Sequence, residues 1–187
     1  MRLLDTPFED VKVIEFDAFS DERGLFAETW SESYSGQLDE MPVWVQDSYS
    51  VSRNKGTVRG LHFQTPPAEQ IKLARPVKGS IFEVVVDVRH GSATFGQHFS
   101  MVLSAGDQRQ LLIPACYAHG FCTLEDDTEV FYKLSGLYSP ENYYGIQWND
   151  PALNINWPVK AEDAILSEKD RQLRPLADLP PVFEYLD

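Results

Sequence analysis

The sequence predicts an all-β protein, either a sandwich or a barrel, from three observations. Short runs rich in β-branched and aromatic residues recur along the chain, and many of them alternate between apolar and polar positions. Turn-forming residues separate these runs at intervals of about 8 to 15 residues. Strands alternating with long amphipathic helices are not seen in the sequence, which disfavours a parallel α/β sheet.

The predicted strands follow one another from the N-terminus. The first is "VKVIEFDAF" at residues 11–19, and the second is "LFAETW" at residues 25–30. The remaining predicted strands cover residues 43–53, 59–64, 71–79, 80–89, 97–106, 109–115, 118–126 and 128–136. Two short helices are expected at residues 31–38 and 167–173, with Ser167 as the N-cap of the second.

The last third of the chain changes character. "YSPENYYGIQWNDPALNINWPV" is rich in proline, asparagine and aromatic residues, which indicates loops and short helices packed over the β-core. We expect a single domain over residues 1–187, with a core at about 8–160 and a C-terminal extension at about 161–187.

Composition narrows the class of function. The 187 residues include 16 basic and 29 acidic residues, for a net charge of −13, and no basic patch of the kind that nucleic acids require is present. No window approaches the ~18 apolar residues of a membrane span, and the N-terminus lacks a long apolar segment. Cys116 and Cys122 lie in apolar runs and are predicted to be buried free thiols, which suits a reducing cytoplasm.

The segment "RGLHFQ" carries the first candidate residue, His62. Strict alternation would place Arg59, Leu61 and Phe63 on one face of the strand, and His62 with Gln64 on the other. A histidine in this position could be a hydrogen-bonded core residue or a general base, and the segment alone leaves both readings open.

Other polar residues in strand-like surroundings are candidates of the same kind. His119 follows a bend in "IPACYAHGF", and Tyr132 shares a strand face with Val130, where a packing role is the alternative. Arg23 and Lys72 are cations in strand-like surroundings. A lysine ammonium is a compact charge suited to a developing enolate oxygen, whereas arginine grips a diphosphate with two hydrogen bonds.

Several kinds of site are disfavoured. A metal-binding barrel would be expected to place a second histidine two positions after His62, where Gln64 stands, and neither cysteine belongs to a zinc pattern. The chain contains no G-x-S-x-G nucleophile motif and no Walker or Rossmann glycine pattern.

A long series of motifs resembles one known family. "DERGLFAE", "RGLHFQ", "KLARPVKGSIFEVVVDVR", "TFGQ", "LIPACYAHGF", "EVFYK", "YSPE", "WNDPALNINWP" and "LSEKD" occur in the order seen in dTDP-4-dehydrorhamnose 3,5-epimerases. The resemblance covers roughly residues 8–174. It implies a cupin-type jelly-roll barrel and a homodimer in which residues near the N-terminus cross to the neighbouring subunit's site, with no metal and no diffusible cofactor.

The resemblance also implies roles for individual residues. His62 would be the general base, Asp170 the carboxylate that orients it, Tyr132 the general acid on the opposite face of the sugar, and Lys72 the cation near the C4 keto oxygen. The residues that it assigns to the sugar, the diphosphate and the thymine ring are Arg23, Glu28, Gln46, Ser48, Arg59, His119, Tyr138, Tyr143 and Lys169.

Four positions depart from the family pattern. Ser48 stands where Asn is usual, Glu83 where Asp is usual, Tyr143 where several members carry Glu, and Leu25 where an aromatic residue is usual. The sequence therefore leaves three readings open: a 3,5-epimerase acting on dTDP-4-dehydro-6-deoxy-D-glucose, a 3-epimerase or 5-epimerase acting on another nucleotide 4-keto-6-deoxy sugar, and a cupin that binds a sugar nucleotide without turnover.

Overall fold

A computed structural model of the chain describes residues 1–37 and 42–185. In these ranges the strands, in chain order, are β1 (Arg2–Asp5), β2 (Lys12–Glu15), β3 (Ala18–Asp21), β4 (Gly24–Ala27), β5 (Gln46–Ser52), β6 (Val58–Gln64), β7 (Lys72–Lys78), β8 (Ser80–Asp87), β9 (Arg89–His90), β10 (His98–Ser104), β11 (Arg109–Ile113), β12 (Tyr117–Thr123), β13 (Thr128–Leu134), β14 (Tyr143–Gly145) and β15 (Phe183–Glu184). Helix α1 covers Glu168–Arg171, and short 3₁₀ helices cover Glu32–Gln37, Pro140–Asn142, Pro151–Leu153 and Leu176–Asp178.

Two antiparallel sheets form a jelly roll, which confirms the predicted all-β fold. The larger sheet has the strand order β1-β2-β11-β7-β13-β5, and the smaller has the order β10-β8-β12-β6-β14. Strands β3 and β4 form a separate hairpin, and the short β15 pairs in parallel with β9.

Apolar side chains from both sheets fill part of the space between them. Val13 and Leu111 of the larger sheet pack in one cluster with Ile81 and Phe121 of the smaller sheet, and all four are almost completely buried. Removing such a side chain from water contributes about 1.5–3 kcal/mol relative to leaving it exposed. This packing holds the two sheets together and leaves the remaining space between them for a cavity.

The smaller sheet is covered on both faces. The outward-facing Val84 and Val86 of β8 contact Ile146, Leu153 and Leu176 from the C-terminal part of the chain. A strand buried on both faces needs apolar residues at consecutive positions rather than at alternate ones, which explains the unbroken Val84–Val85–Val86 run. The C-terminal segment thus packs over the β-core, as the sequence predicted.

Some elements differ from the sequence predictions. The expected strand at residues 11–19 is two strands, because the chain leaves the sheet at the buried Phe16 and β3 pairs with β4 instead. Strand β1 was not predicted, since four residues carry little periodicity. The helix expected at 31–38 is the 3₁₀ helix Glu32–Gln37, and residue 38 lies outside the described residues. Cys122 is buried as expected, but Cys116 is only half-buried.

Within the described ranges the structure contains neither a helix that could span a membrane nor a cluster of metal ligands. Their helices are all too short or too polar to cross a lipid bilayer. Within these ranges, no group of three or more histidine, cysteine, aspartate or glutamate side chains is arranged so that it could hold a metal ion.

Strand β6 contains an irregularity that decides which of its side chains face inward. Arg59 lies opposite Phe121 of β12, whereas His62 lies opposite His119, so three residue steps of β6 are matched to two steps of β12. This extra residue is a β-bulge. Arg59 and His62 therefore face the same side. The predicted alternation is wrong for Arg59 but correct for Leu61 and Phe63, which face away from the cavity.

Glycines make the bulge possible. Gly60 has a φ of +139°, and a Cβ atom built on it would lie 2.5 Å from the Cα of Gly120. A side chain at residue 60 would therefore meet both an unfavourable backbone conformation and the neighbouring strand. The close approach of these two glycines allows β6 and β12 to remain paired on either side of the bulge.

Candidate active site

A cavity of about 590 Å³ lies between the two sheets. This volume is in the range of small-molecule sites, about 300–1,000 Å³. Of the residues assigned from the sequence, those that line it are Ser48, Arg59, His62, Lys72, His119, Tyr132, Tyr143, Lys169 and Asp170. The structure thus gathers side chains from both sheets and from α1 around one space.

His62 forms a hydrogen bond with Asp170 between its Nε2 atom and the Oδ1 atom of the carboxylate. The side chain of Ser167 caps α1 by accepting a hydrogen bond of 3.1 Å from the backbone N–H of Asp170. This cap places the Asp170 carboxylate, which is only 6 % exposed. Because Nε2 is engaged, Nδ1 is the imidazole nitrogen that can accept a proton from a ligand.

Burial lowers the pKa of His62 from its ordinary value, and the positive charge of Lys72 lowers it further. The hydrogen bond to Asp170 and the negative charge of that carboxylate act in the opposite direction, but burial is the larger effect. The imidazole is therefore held neutral at pH 7, which is the form that a general base requires.

Tyr132 enters the cavity from β13, in the sheet opposite to that of His62. Its ring meets that of His119 edge to face, with 6.3 Å between the ring centroids. Burial, followed by the nearby negative charge of Glu83, raises the pKa of the Tyr132 phenol. The hydroxyl therefore keeps its proton at neutral pH and can donate it.

Lys72 comes from β7, in the same sheet as Tyr132. Its Nζ atom donates a hydrogen bond of 2.9 Å to the backbone carbonyl of His62. Burial lowers the pKa of Lys72 to about 8, while the carboxylate of Glu83 opposes this change. A lysine with this pKa is still mostly protonated at pH 7, so it brings a positive charge to the cavity that His62 and Tyr132 also line.

Glu83 and His119 form a second acid–histidine pair. Glu83 faces inward from β8, is almost fully buried, and bonds Nε2 of His119 through its Oε1 atom. Its other carboxylate oxygen, Oε2, has no hydrogen-bond partner among the residues that the structure describes. A buried glutamate on the inner face of a strand is held here by the histidine beside it and by the nearby cation of Lys72.

Cations lie near the mouth of the cavity. Arg59 is anchored by Nε, which donates to Oγ of Ser52 at 3.1 Å, and by Nη2, which donates to the carbonyl of Val51 at 3.1 Å. Lys169 extends from α1 with its Nζ atom 3.4 Å from the ring centroid of Tyr143. In a protein of negative net charge, these two positive groups form a local site suited to an anionic ligand.

Gln46 and Tyr138 lie beside the cavity rather than among its lining residues. Oε1 of Gln46 accepts a hydrogen bond of 3.1 Å from the backbone N–H of Tyr138, and its Nε2 donates to Oγ of Ser48 at 3.0 Å. The Tyr138 side chain is half exposed, so its ring face is available to a flat ligand group.

Arg23 and Glu28 are not brought to the cavity within one chain. Arg23 lies at the tip of the β3–β4 hairpin, where its guanidinium pairs with Asp21. Glu28 accepts a hydrogen bond of 2.8 Å from the Tyr34 hydroxyl. The predicted ligand contacts of both residues remain predictions.

The resemblance had placed Glu83 as the acid near the second histidine, and Glu83 does bond His119 from the inner face of β8. The structure adds one group that sequence reasoning did not assign to the site. Gln64 holds the loop after β13, since its Nε2 donates to the carbonyl of Leu137 at 3.1 Å and its Oε1 accepts from the N–H of Ser139 at 2.8 Å. No sequence signal indicates that contact.

Comparison with known proteins shows similarity over almost the whole chain. The sequence profile described as dTDP-4-dehydrorhamnose 3,5-epimerase matches residues 5–178. The dTDP-4-dehydrorhamnose 3,5-epimerase of Sinorhizobium fredii is 45% identical over 177 residues, which cover 95% of this chain and 90% of the relative.

Solved structures are similar over almost the whole chain. A dTDP-6-deoxy-D-glucose-3,5-epimerase from Legionella pneumophila in complex with dTDP-4-keto-L-rhamnose superposes with a TM-score of 0.94 at 36% identity, covering 100% of this chain and 99% of that one. A 3′-monoepimerase from Streptomyces bikiniensis in complex with dTDP-quinovose superposes with a TM-score of 0.86 at 31% identity, covering 92% and 86%.

Proposed function

The chain belongs to the dTDP-4-dehydrorhamnose 3,5-epimerase family, and we propose that it inverts C3 and C5 of dTDP-4-dehydro-6-deoxy-D-glucose to give dTDP-4-dehydro-L-rhamnose. One observation carries the assignment of the chemistry. A neutral imidazole, His62, and a protonated phenol, Tyr132, enter the same cavity from opposite sheets, with the ammonium of Lys72 also lining it. A reaction that inverts a carbon centre needs an acid and a base on opposite faces of the substrate.

The reaction begins with proton abstraction next to the ketone. The C4 carbonyl acidifies the hydrogens on C3 and C5, and Nδ1 of His62 takes one of them. The C–H bond pair moves into the ring carbon–carbon bond, and the carbonyl pair moves onto the oxygen to give an enolate. The positive charge of Lys72 stabilises that oxygen, and a donor of this kind placed in advance lowers the barrier by about 3–4 kcal/mol.

Reprotonation from the other face completes the inversion. Tyr132 donates its proton to the carbon, and the pair on the oxygen re-forms the carbonyl. The phenolate then regains a proton from solvent and His62 releases the one that it took, so the site returns to its starting state. The same sequence at the second carbon gives the doubly inverted sugar.

The positive side chains around the cavity support binding of the substrate through its nucleotide diphosphate. Arg59 and Lys169 place positive groups around the cavity of a protein whose net charge is −13. The exposed ring face of Tyr138 beside Lys169 suits a stacked base. We therefore assign the diphosphate to the cations and the thymine ring to Tyr138.

Turnover in D₂O tests this function. We expect the product formed from dTDP-4-dehydro-6-deoxy-D-glucose to carry deuterium at both C3 and C5, because each new hydrogen comes from the exchangeable phenol. NMR of the product counts the labelled positions. Label at one position only would assign a 3-epimerase or 5-epimerase, an activity of the same kind as that of the less similar 3′-monoepimerase. Absence of label with a panel of nucleotide 4-keto sugars would indicate a protein that binds without turnover.

We also propose that the protein acts as a homodimer built on the β3–β4 hairpin. Phe19, Leu25 and Phe26 of this hairpin are exposed by 69%, 57% and 72%, which is unusual for three large apolar groups on one two-stranded element. Arg23 at its tip lies outside the cavity of its own chain. Docking of the hairpin on a second copy would bury the apolar groups and could bring Arg23 to the partner's site.

Sedimentation equilibrium checks the dimer. We expect twice the chain mass of 21.3 kDa for the wild-type protein, and the monomer mass with reduced turnover for Phe26→Asp, because a charge cannot be buried in an apolar contact. Val102→Asp is the matched control, since Val102 is half exposed on β10 in the smaller sheet. A wild-type protein that sediments as a monomer at assay concentration contradicts the proposal.

A further inference from the structure

Tyr143 lies where strand β14 adds to the edge of the smaller sheet. Its backbone is paired with Gln64 of β6, and Gly145 is paired with His62. The side chain is half-buried and lines the cavity, whereas that of the next residue, Tyr144, packs against Phe63. Alternation along β14 thus directs one tyrosine to the site and the other away from it.

The ring of Tyr143 packs directly on the base. The centroids of the Tyr143 and His62 rings are 5.1 Å apart, and the ring planes are inclined at 45°. This is within the contact distance of aromatic pairs. Since Asp170 bonds Nε2 of the same imidazole, His62 is held by a carboxylate and supported by the ring of Tyr143.

Other groups fix Tyr143 in turn. Nζ of Lys169 lies 3.4 Å from the ring centroid, and the Tyr138 ring meets that of Tyr143 edge to face at 6.0 Å. Lys169 directly precedes Asp170 on α1, so one short helix both holds the base and clamps the ring that packs on it. A ring with this many contacts has little freedom to leave the imidazole.

We propose that Tyr143 is a positioning residue that holds the imidazole of His62 against Asp170 and keeps bulk water away from it. The inference rests on the proposed function, because it concerns the base of that reaction. It adds a property that the reaction scheme does not require: a proton taken from the sugar stays on the imidazole, and returns to the same carbon, faster than it exchanges with solvent.

The pH dependence of the base follows from the same shielding. The titratable or charged groups that face the imidazole are Asp170 and Lys169 from α1, Lys72 from β7, His119 from β12 and Tyr143 from β14. Burial is the largest cause of the lowered pKa of His62. Loss of the Tyr143 ring admits water, so this pKa rises towards its ordinary value of 6.5.

The test compares Tyr143→Leu, which removes the ring, with Tyr143→Phe, which keeps it. Each variant is incubated with substrate in D₂O, and deuterium is measured at low conversion in both the recovered substrate and the product. For wild type and Tyr143→Phe we expect label in the product and little in the substrate. For Tyr143→Leu we expect the ratio of substrate label to product label to rise several-fold. This ratio does not depend on how much of the variant is folded.

The pH profile of kcat/KM gives an independent readout. Because the base acts when neutral, its activity rises with pH through the pKa of His62, and we expect this limb to move to higher pH in Tyr143→Leu but not in Tyr143→Phe. Misplacement of the base should also lower kcat by about 10- to 100-fold. Tyr144→Leu is the matched control, with an unchanged profile and an unchanged label ratio.

The outcomes separate the two proposals. An unchanged label ratio together with an unmoved pH limb in Tyr143→Leu overturns the role of Tyr143, whatever the loss of rate. Absence of label in both product and substrate with the wild-type protein instead overturns the proposed function.

Discussion

Replacing His62 with asparagine is expected to lower turnover by about 10²- to 10⁴-fold. Asparagine keeps a polar group of similar size beside Asp170 but cannot accept a proton from carbon at neutral pH. Without a base no enolate forms, so deuterium should be lost from the product and from the recovered substrate alike. Turnover and label are measured together by NMR in D₂O.

A matched change distinguishes this effect from the loss of any histidine. His98→Asn alters β10, the outer strand of the smaller sheet, and His98 does not line the cavity. We expect wild-type turnover for this variant. Retention of wild-type exchange by His62→Asn would instead remove His62 from the mechanism and require a different base in the cavity, with His119 as the first candidate.

The strands could be predicted because their patterns are local. Val130 and Tyr132 were expected on one face of their strand, and the structure places both inward, with Phe131 and Lys133 away from them. The N-cap of α1 was also readable, since a serine three residues before Asp170 satisfies a backbone donor in a standard way. Each of these predictions needs only neighbours in the sequence.

The shared face of Arg59 and His62 could not be predicted from alternation because it depends on a second strand. Alternation along "RGLHFQ" would place Arg59 and His62 on opposite faces of the strand. The β-bulge opposite β12 adds one residue between them, so both face the same side. The glycines that permit it, Gly60 and Gly120, are 60 positions apart in the chain. The periodicity of one segment cannot predict a bulge that depends on two glycines far apart in the sequence.

The same limit applies to β14. "YSPENYYG" reads as a loop because proline, asparagine and glycine outweigh the tyrosines. Strand β14 exists because β6 offers an open edge, and the three residues Tyr143–Gly145 complete that edge. Tyr143 was assigned to the substrate from resemblance alone, and its contact with the base became apparent only when tertiary pairing placed it beside His62.

Charge balance within the cavity connects the acid to the cation. Burial is the main cause of the raised pKa of Tyr132, and Glu83 raises it further, while Glu83 also opposes the lowering of the pKa of Lys72 by burial. One buried carboxylate therefore favours the protonated form of both groups, the phenol and the ammonium. His119 holds this carboxylate through Oε1.

Replacing Tyr132 with phenylalanine is expected to reduce inversion by about 10²- to 10⁴-fold. The ring that packs against His119 is retained, so the shape of the cavity should survive while the proton donor on the second face is lost. His62 and Lys72 remain, and the enolate still forms. Its main fate is return of the proton from His62 to the face from which it came, which regenerates the substrate.

Deuterium shows this separation of exchange from inversion. In the Tyr132→Phe variant each enolate returns many times, so even a shielded imidazole exchanges its proton slowly with solvent, and label should accumulate in the substrate without change of configuration. Tyr144→Phe is the matched control, since it removes a hydroxyl on the far side of β14 and should behave as wild type. Full inversion by Tyr132→Phe would mean that another group, or water, protonates the second face. Loss of both inversion and substrate label would mean that the phenol is needed to form the enolate as well as to quench it.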